Sequence, residues 1–262
     1  MCIFSQSVTH VGGTKIFARR RADEQLLAYE MSFSAASDLA MVLPLPVAPG
    51  LGEAAASFID LSGYTAFFQD LSALFPSAAS FAVSAGIGGS PQPAALIVHQ
   101  VGAFEASYVP ALHDFGRLDP RFRVPSAVWD RLPAYRDFGF AVFKLRGPRA
   151  GFLQRIGLLK RPAEPPQKVH PMAIAFRSRN AGDLFFPTVH VHDGWVHEEA
   201  MFDHQLYCQL DRQPAASHGI WERAEFLPGP QAVARSVELL DATRGVFRLS
   251  LLGPQQNRDV IV

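Results

Sequence analysis

Cysteine is scarce in this 262-residue chain, and the two that occur, Cys2 and Cys208, are too few for a disulfide framework. They leave room for one bridge or one nucleophile. An excess of either charge is also missing. Lys and Arg number 24 and Asp and Glu 24, with no block of like charge, so neither nucleic acid nor an anionic membrane is an expected partner. No window approaches about eighteen consecutive apolar residues, and the first residues lack the charged, apolar and small-residue regions of a signal peptide. A cytoplasmic protein is expected. A Gly-x-Ser-x-Gly elbow is absent too, which disfavours a serine hydrolase of the α/β type.

What is present is a chain of 48% hydrophobic residues, enough to bury a large core. Its pattern predicts an α+β fold dominated by antiparallel sheet with a few packed helices, compatible with an αββα-like layering. "CIFSQSVT" and "TKIFARR" flank Gly12-Gly13, which reads as a tight hairpin turn, and "QLLAYEMSFS" and "DLAMVLPLPV" read as a second strand pair. "GEAAASFIDL" and "GYTAFFQDLSALF" read as helices. In the second, Tyr64, Phe67, Phe68, Leu71, Leu74 and Phe75 recur at helical spacing, a stripe that belongs first of all to a core.

The small-residue stretch from Ser77 to Pro93 lacks the glycine spacing of a phosphate-binding loop and reads as an exposed loop. "LLKRPAEPPQK", residues 158–168, is the candidate linker between residues 1–157 and 169–262, or else a long loop in one domain of 1–262. Strands are expected in "DFGFAVFKLRG", "VHPMAIAFRSR", "DLFFPTVHVHD", "WVHEEAMFDHQLYCQL" and "GVFRLSLLG", and a helix in "GPQAVARSVELLD". His10, His99, His113, His170 and His218 are isolated and read as structural.

One candidate site is a histidine face. Asp193-Gly194 is a strong two-residue hairpin signal, and that register sets His190 opposite His197 and His192 opposite Trp195. His190, His192 and His197 then share one face, with cross-strand Cβ atoms about 5 Å apart. Three neutral imidazoles with an open fourth position suit zinc or another divalent metal. The bland alternative is a solvated hairpin face with Val189, Val191 and Val196 turned to the core. The same register sets His204 opposite Asp183, too far along the strand to share the ion.

The other candidate is Cys2. Methionine removal would leave one residue holding both a thiol, titrating near about 8.5, and an α-amine, near about 7.7, able to take its proton. The alternative is a small buried hydrophobe in a strand. The stretch resembles the start of the cysteine branch of the N-terminal-nucleophile hydrolases, the bile-acid and penicillin V acylase-like amidases. The matching residues are Cys2, Ile3 or Phe4, Gly12-Gly13, Phe17-Ala18-Arg19 and Asp23, which stands four residues after Arg19 and three after Arg20.

That resemblance implies a cysteine amidohydrolase without a cofactor. Cys2 would attack an amide of a small-molecule substrate, and Arg19 or Arg20, beside Asp23, would orient its carboxylate or polar end. The family's oxyanion hole uses asparagine, and this chain has only Asn180 and Asn257. Residues 2–50 are also similar to a bacterial family of unknown function, through "KIFA" at Lys15–Ala18 and "MVLPLP" at Met41–Pro46. A ligand-binding or interaction module without catalysis is the third expectation.

Overall fold

Apolar and polar side chains alternate along the early strands, and each face of each strand meets a different layer. The computed structural model describes residues 3–75, 99–101, 104–147, 166–180 and 182–262. Among the described residues the strands are β1 Ile3–Phe4, β2 His10–Arg21, β3 Glu24–Ser34, β4 Leu39–Leu45, β5 Ala56–Ile59, β6 His99–Val101, β7 Phe104–Val109 and β8 Gly139–Leu145. They continue with β9 Gln167–Lys168, β10 Met172–Arg177, β11 Phe185–Phe186, β12 Glu199–Gln209, β13 Glu222–Arg223, β14 Val246–Gln256 and β15 Val260–Ile261. Short helices are α1 Phe67–Ala73, α2 Ser126–Asp130 and α3 Pro230–Arg235.

The fold is α+β, with antiparallel sheet predominating. One sheet runs β1-β4-β8-β7-β6, and a larger one β13-β14-β12-β2-β3-β10-β5, with β9 also on β3; β11 and β15 form a separate pair. The two large sheets pack face to face. Met41, Leu43 and Phe143 from the first meet Ile16, Ala18, Leu27, Ile174, Leu206 and Cys208 from the second. On the outer side of the larger sheet, Phe17, Ala28 and Tyr207 lie under Tyr64, Phe67 and Phe68. The outer side of the smaller sheet, at Val42, Phe140 and Val142, is covered by Phe115, Val128, Trp129 and Tyr135. Helical segments thus flank two central sheets. No helix among the described residues is long and apolar enough to cross a membrane.

Among the described residues one strand pairing is parallel, β12 on β2, with Gln205 beside Lys15 and Gln209 beside Arg19. It joins the β2–β3 hairpin to the antiparallel β12–β14 pair. Strands from both sides of the expected linker therefore enter one sheet; residues 158–165 of that segment lie outside the described residues, while Gln167 and Lys168 pair with β3. The expected loop of residues 77–93 also lies outside them.

The first strand pair differs from expectation. Gly12-Gly13 is not a turn: β2 runs through it, and Gly13, at φ +61°, accommodates a register shift between Gly12 and Lys15. A glycine pair can supply positive φ to a bulge as readily as to a turn. The turn falls at Ala22–Asp23, and β1 pairs with β4 rather than β2. "GEAAASFIDL" is a single 3-10 turn at Gly52–Ala55 followed by β5, because pairing of residues 56–59 with β10 outweighs the helical propensity of the alanines.

Irregular backbone near the C-terminal strands is held by buried side chains. Asp259 accepts hydrogen bonds from Tyr135 Oη (2.6 Å), Thr188 N (2.8 Å) and Val189 N (3.2 Å). Burial raises its carboxyl pKa, and these bonds oppose the rise. Replacing the carboxylate leaves three donors short of an acceptor, each costing about 1 kcal/mol at a half-buried position, the low end of the range for such losses. Asp259→Ala should therefore lower the urea midpoint by the equivalent of about 2–4 kcal/mol at constant m-value, whereas an unchanged midpoint would contradict the assignment.

Candidate functional site

Residues 187–198 were expected to form one arm and the start of the other arm of a hairpin, but they carry almost no ladder. The Asp193 Oδ1 atom accepts the Trp195 N–H at 3.0 Å, tightening the bend at Gly194, φ +84°. The side chain of Asn257 then stands between the two arms. Its Nδ2 donates to the carbonyls of His190 and His197, both at 2.9 Å, while its Oδ1 accepts the His190 N–H at 2.7 Å. An amide side chain replaces the cross-strand bonds the sequence suggested.

This rearrangement changes the histidine set. His197 is exposed, and its Nε2 lies 2.9 Å from Asp193 Oδ2. His204 takes its place. The rings of His190 and His192 stack at 5.1 Å between centroids, and those of His190 and His204 at 5.0 Å, forming a column. Phe202 packs on His190 at 4.2 Å and on His204 at 4.7 Å, and Phe4 meets His192 edge-on at 5.6 Å. The Asp183–His204 pairing is not formed, because β12 takes β14 as its antiparallel partner and sets His204 opposite Leu251.

The column is desolvated and neutral. Burial is the main cause, pushing the pKa of His190 down to about 2 and that of His192 to about 4, and it holds His204 well below its ordinary value. His204 Nδ1 accepts the Asp203 N–H at 3.2 Å, which leaves its proton on Nε2. The Nε2 atoms of both His190 and His204 are buried without a hydrogen-bond partner among the described residues. Face-to-face stacking points neighbouring lone pairs in parallel rather than at one point. Accordingly, no group of three donors among the described residues is placed to hold a metal ion.

His190, His192 and the exposed His197, the three histidines the sequence placed together, all line an open groove of about 470 Å³, with His197 outside the ring stack. Asp193, Glu199 and Asp203 line it, with Phe202 and the exposed Met201, and its lining includes neither lysine nor arginine among the described residues. Asp203 Oδ2 also accepts the Gly13 N–H at 2.6 Å, fixing this rim to the β2 bulge.

Of the residues tied to the amidohydrolase resemblance, Cys2 lies outside the described residues. Arg19 projects from β2 on the same side as Phe17, opposite the face on which Phe4 packs with Ile16 and Ala18. Its guanidinium donates to the Leu239 carbonyl at 2.9 Å and to that of Glu238, and it faces Asp241 at 3.8 Å. These bonds hold a turn in which Val237 and Glu238 both have positive φ. Arg20 donates to the carbonyls of Asn180 and of Asp183, the latter at 2.8 Å, and Asp23 faces Arg177 at 3.5 Å on the surface. The structure thus gives Arg19 a loop-holding role and sends Arg20 and Asp23 to separate partners. Cys208 is fully buried between the sheets, where desolvation pushes its thiol pKa up.

No family model matches the chain, and no curated protein does. Among solved structures, the crystal structure of baculovirus P35 is similar, with a TM-score of 0.47 and 10% identity over 99% of this chain and 98% of that one. A likeness of that degree carries no argument about function.

The imidazole column makes stability depend on pH. A histidine whose native pKa is depressed stabilises the fold fully above its unfolded value, about 6.5, and that contribution is lost as pH falls toward the native value. The unfolding free energy should therefore decline below about pH 6.5, by about 1.4 kcal/mol per pH unit for each buried imidazole. His204→Leu should reduce that slope by one such increment, measured by urea titration from pH 6.5 to 4.5. Equal slopes in the two proteins would contradict the protonation states described.

Proposed function

We propose that the protein is a binding module whose ligand occupies the groove beside His190 and His192. One observation carries this reading: a buried imidazole, His190, forms part of the groove wall while its Nε2 has no partner among the described residues. Leaving such an atom unpaired costs about 1–3 kcal/mol, a cost that a ligand offering a hydrogen bond removes. The three carboxylates favour a positively charged group, and Phe202 and Met201 offer apolar surface for the body that carries it. A flat amidinium on an aromatic ring fits that chemistry. A divalent metal is the competing cation and would require the stacked rings to turn.

Benzamidine and Zn²⁺ serve as probes, read by the ¹⁵N resonances of the histidine side chains. Benzamidine should shift the His190 Nε2 resonance saturably, and His190→Ala should abolish the response. Displacement of His190, His192 and His204 resonances by Zn²⁺ alone would replace this reading with a metal site, and silence toward both cations would end it.

A second reading keeps the cysteine amidohydrolase expectation, favoured by the placement of β1. Ile3, which follows Cys2 in the chain, bridges Val191 in parallel, and Phe4 N donates to the Val191 carbonyl at 3.1 Å. Val191 stands between His190 and His192, so β1 docks on the segment that walls the groove; with those imidazoles held neutral at depressed pKa, the freed α-amine of Cys2 is the base of this reading. Under this reading Cys2 alkylates with iodoacetamide at a midpoint below the ordinary thiol value of about 8.5, and protein that retains Met1 alkylates at that ordinary value. An ordinary midpoint in the unsubstituted protein contradicts it.

A further inference from the structure

The opposite end of the larger sheet carries a concentration of guanidinium groups that the imidazole groove does not use. Register explains why they meet. Gln209 of β12 lies beside Arg19 of β2 and beside Val246 of β14, and Phe247 of β14 lies beside Arg223 of β13. Arg20, Arg212, Arg244 and Arg223 therefore occupy one end of four neighbouring strands, spaced about 4.8 Å from strand to strand. They line two adjoining hollows of about 490 and 250 Å³ that share Leu210, Asp211 and Arg244.

The floor of this cleft is built rather than incidental. Gln209, fully buried, donates from Nε2 to the carbonyls of Asp241 (2.8 Å) and Arg244 (2.7 Å) and accepts the Asp241 N–H at 2.8 Å. Arg19 holds the adjoining turn from below. Arg20 spends one terminal nitrogen on two carbonyls, and Arg244 turns its Nε toward Asp211 (3.2 Å) and Asp241 (3.5 Å). The side chains of Arg212 and Arg223 are exposed and form no hydrogen bond or ion pair with any described residue. Arg244 is paired with Asp211 and Asp241 and Arg20 lies near Asp183, so the positive charge the cleft offers is that of the exposed Arg212 and Arg223 side chains.

We propose that this cleft binds a polyphosphorylated ligand, its phosphoryl oxygens taking paired N–H donors from Arg212 and Arg223 with Arg20 and Arg244 behind them. Guanidinium forks match phosphoryl oxygens two at a time, and a row of them across strands suits successive phosphoryl groups better than a single one.

Inorganic tripolyphosphate is the probe, titrated calorimetrically into the whole protein at low salt, with orthophosphate and citrate in parallel. Tripolyphosphate should bind with one-to-one stoichiometry, at least tenfold tighter than either comparison anion. Arg212→Ala/Arg223→Ala should weaken it at least tenfold at unchanged Tm, since both side chains are exposed and unpaired. Arg121→Ala/Arg136→Ala, which removes the same charge elsewhere, should leave it unaltered. Equal loss in the two double variants, citrate binding as tight as tripolyphosphate, or no saturable binding would each overturn the proposal.

Discussion

The parallel contact between β2 and β12 is the constraint on which the remainder of the molecule depends. Each strand belongs to an antiparallel pair of its own, β2 with β3 and β12 with β14, and this contact fuses the two pairs into one sheet. Along it, Ile16, Ala18, Leu206 and Cys208 face the inter-sheet core, and Phe17 and Tyr207 face the helix-covered side. Both faces of the seam are buried, so a slip of one residue would turn every one of these side chains to the wrong layer. The seam also has two ends with opposite chemistry. At one, the β2 bulge meets Asp203 next to the neutral imidazoles; at the other, Arg20 comes alongside the loop of Asp211 and Arg212.

Polar side chains take over where the ladders stop. Asn257 bridges the arms of the 190–197 bend, Asp259 ties residues 188–189 to Tyr135, Gln209 fixes the 241–244 turn, and Arg19 holds Leu239 and Glu238. Each of these buried or half-buried polar groups has its partners satisfied, as interior polar groups generally must. The Nε2 atoms of His190 and His204 have none among the described residues, and neither do a few other buried atoms such as Thr14 Oγ1 and Trp221 Nε1, but His190 also lines the groove. The contrast separates histidines that the fold needs for packing from a surface on which something else can dock.

Much of the strand content was legible because alternation is a local property. The runs around Leu26–Phe33, Met172–Phe176 and Val246–Leu251 announce themselves through their apolar period, and the Phe67–Leu71 stripe announces α1. Turn chemistry was less informative, since Gly12-Gly13 and Asp193-Gly194 supply permissive backbone without saying what pairs beyond it. The Gly12-Gly13 signal became a bulge, and the Asp193-Gly194 bend opened around Asn257. His204 was set apart from the other histidines for a related reason. A hairpin register ties residues by sequence distance, whereas His204 reaches His190 across packed segments through β12's alliance with β14 and β2. The arginine cleft was unreadable in advance, because it takes the parallel β2–β12 register to bring Arg20 to Arg212 and the β13–β14 pairing to add Arg223.

Native-state hydrogen exchange on the seam amides tests the account most directly. Exchange of Ile16–Ala18 and of Leu206–Cys208 should require the same opening free energy in both strand pairs, equal to that of global unfolding. If the amides of one pair opened at a distinctly lower free energy than those of the other, the seam would not be what unites the molecule.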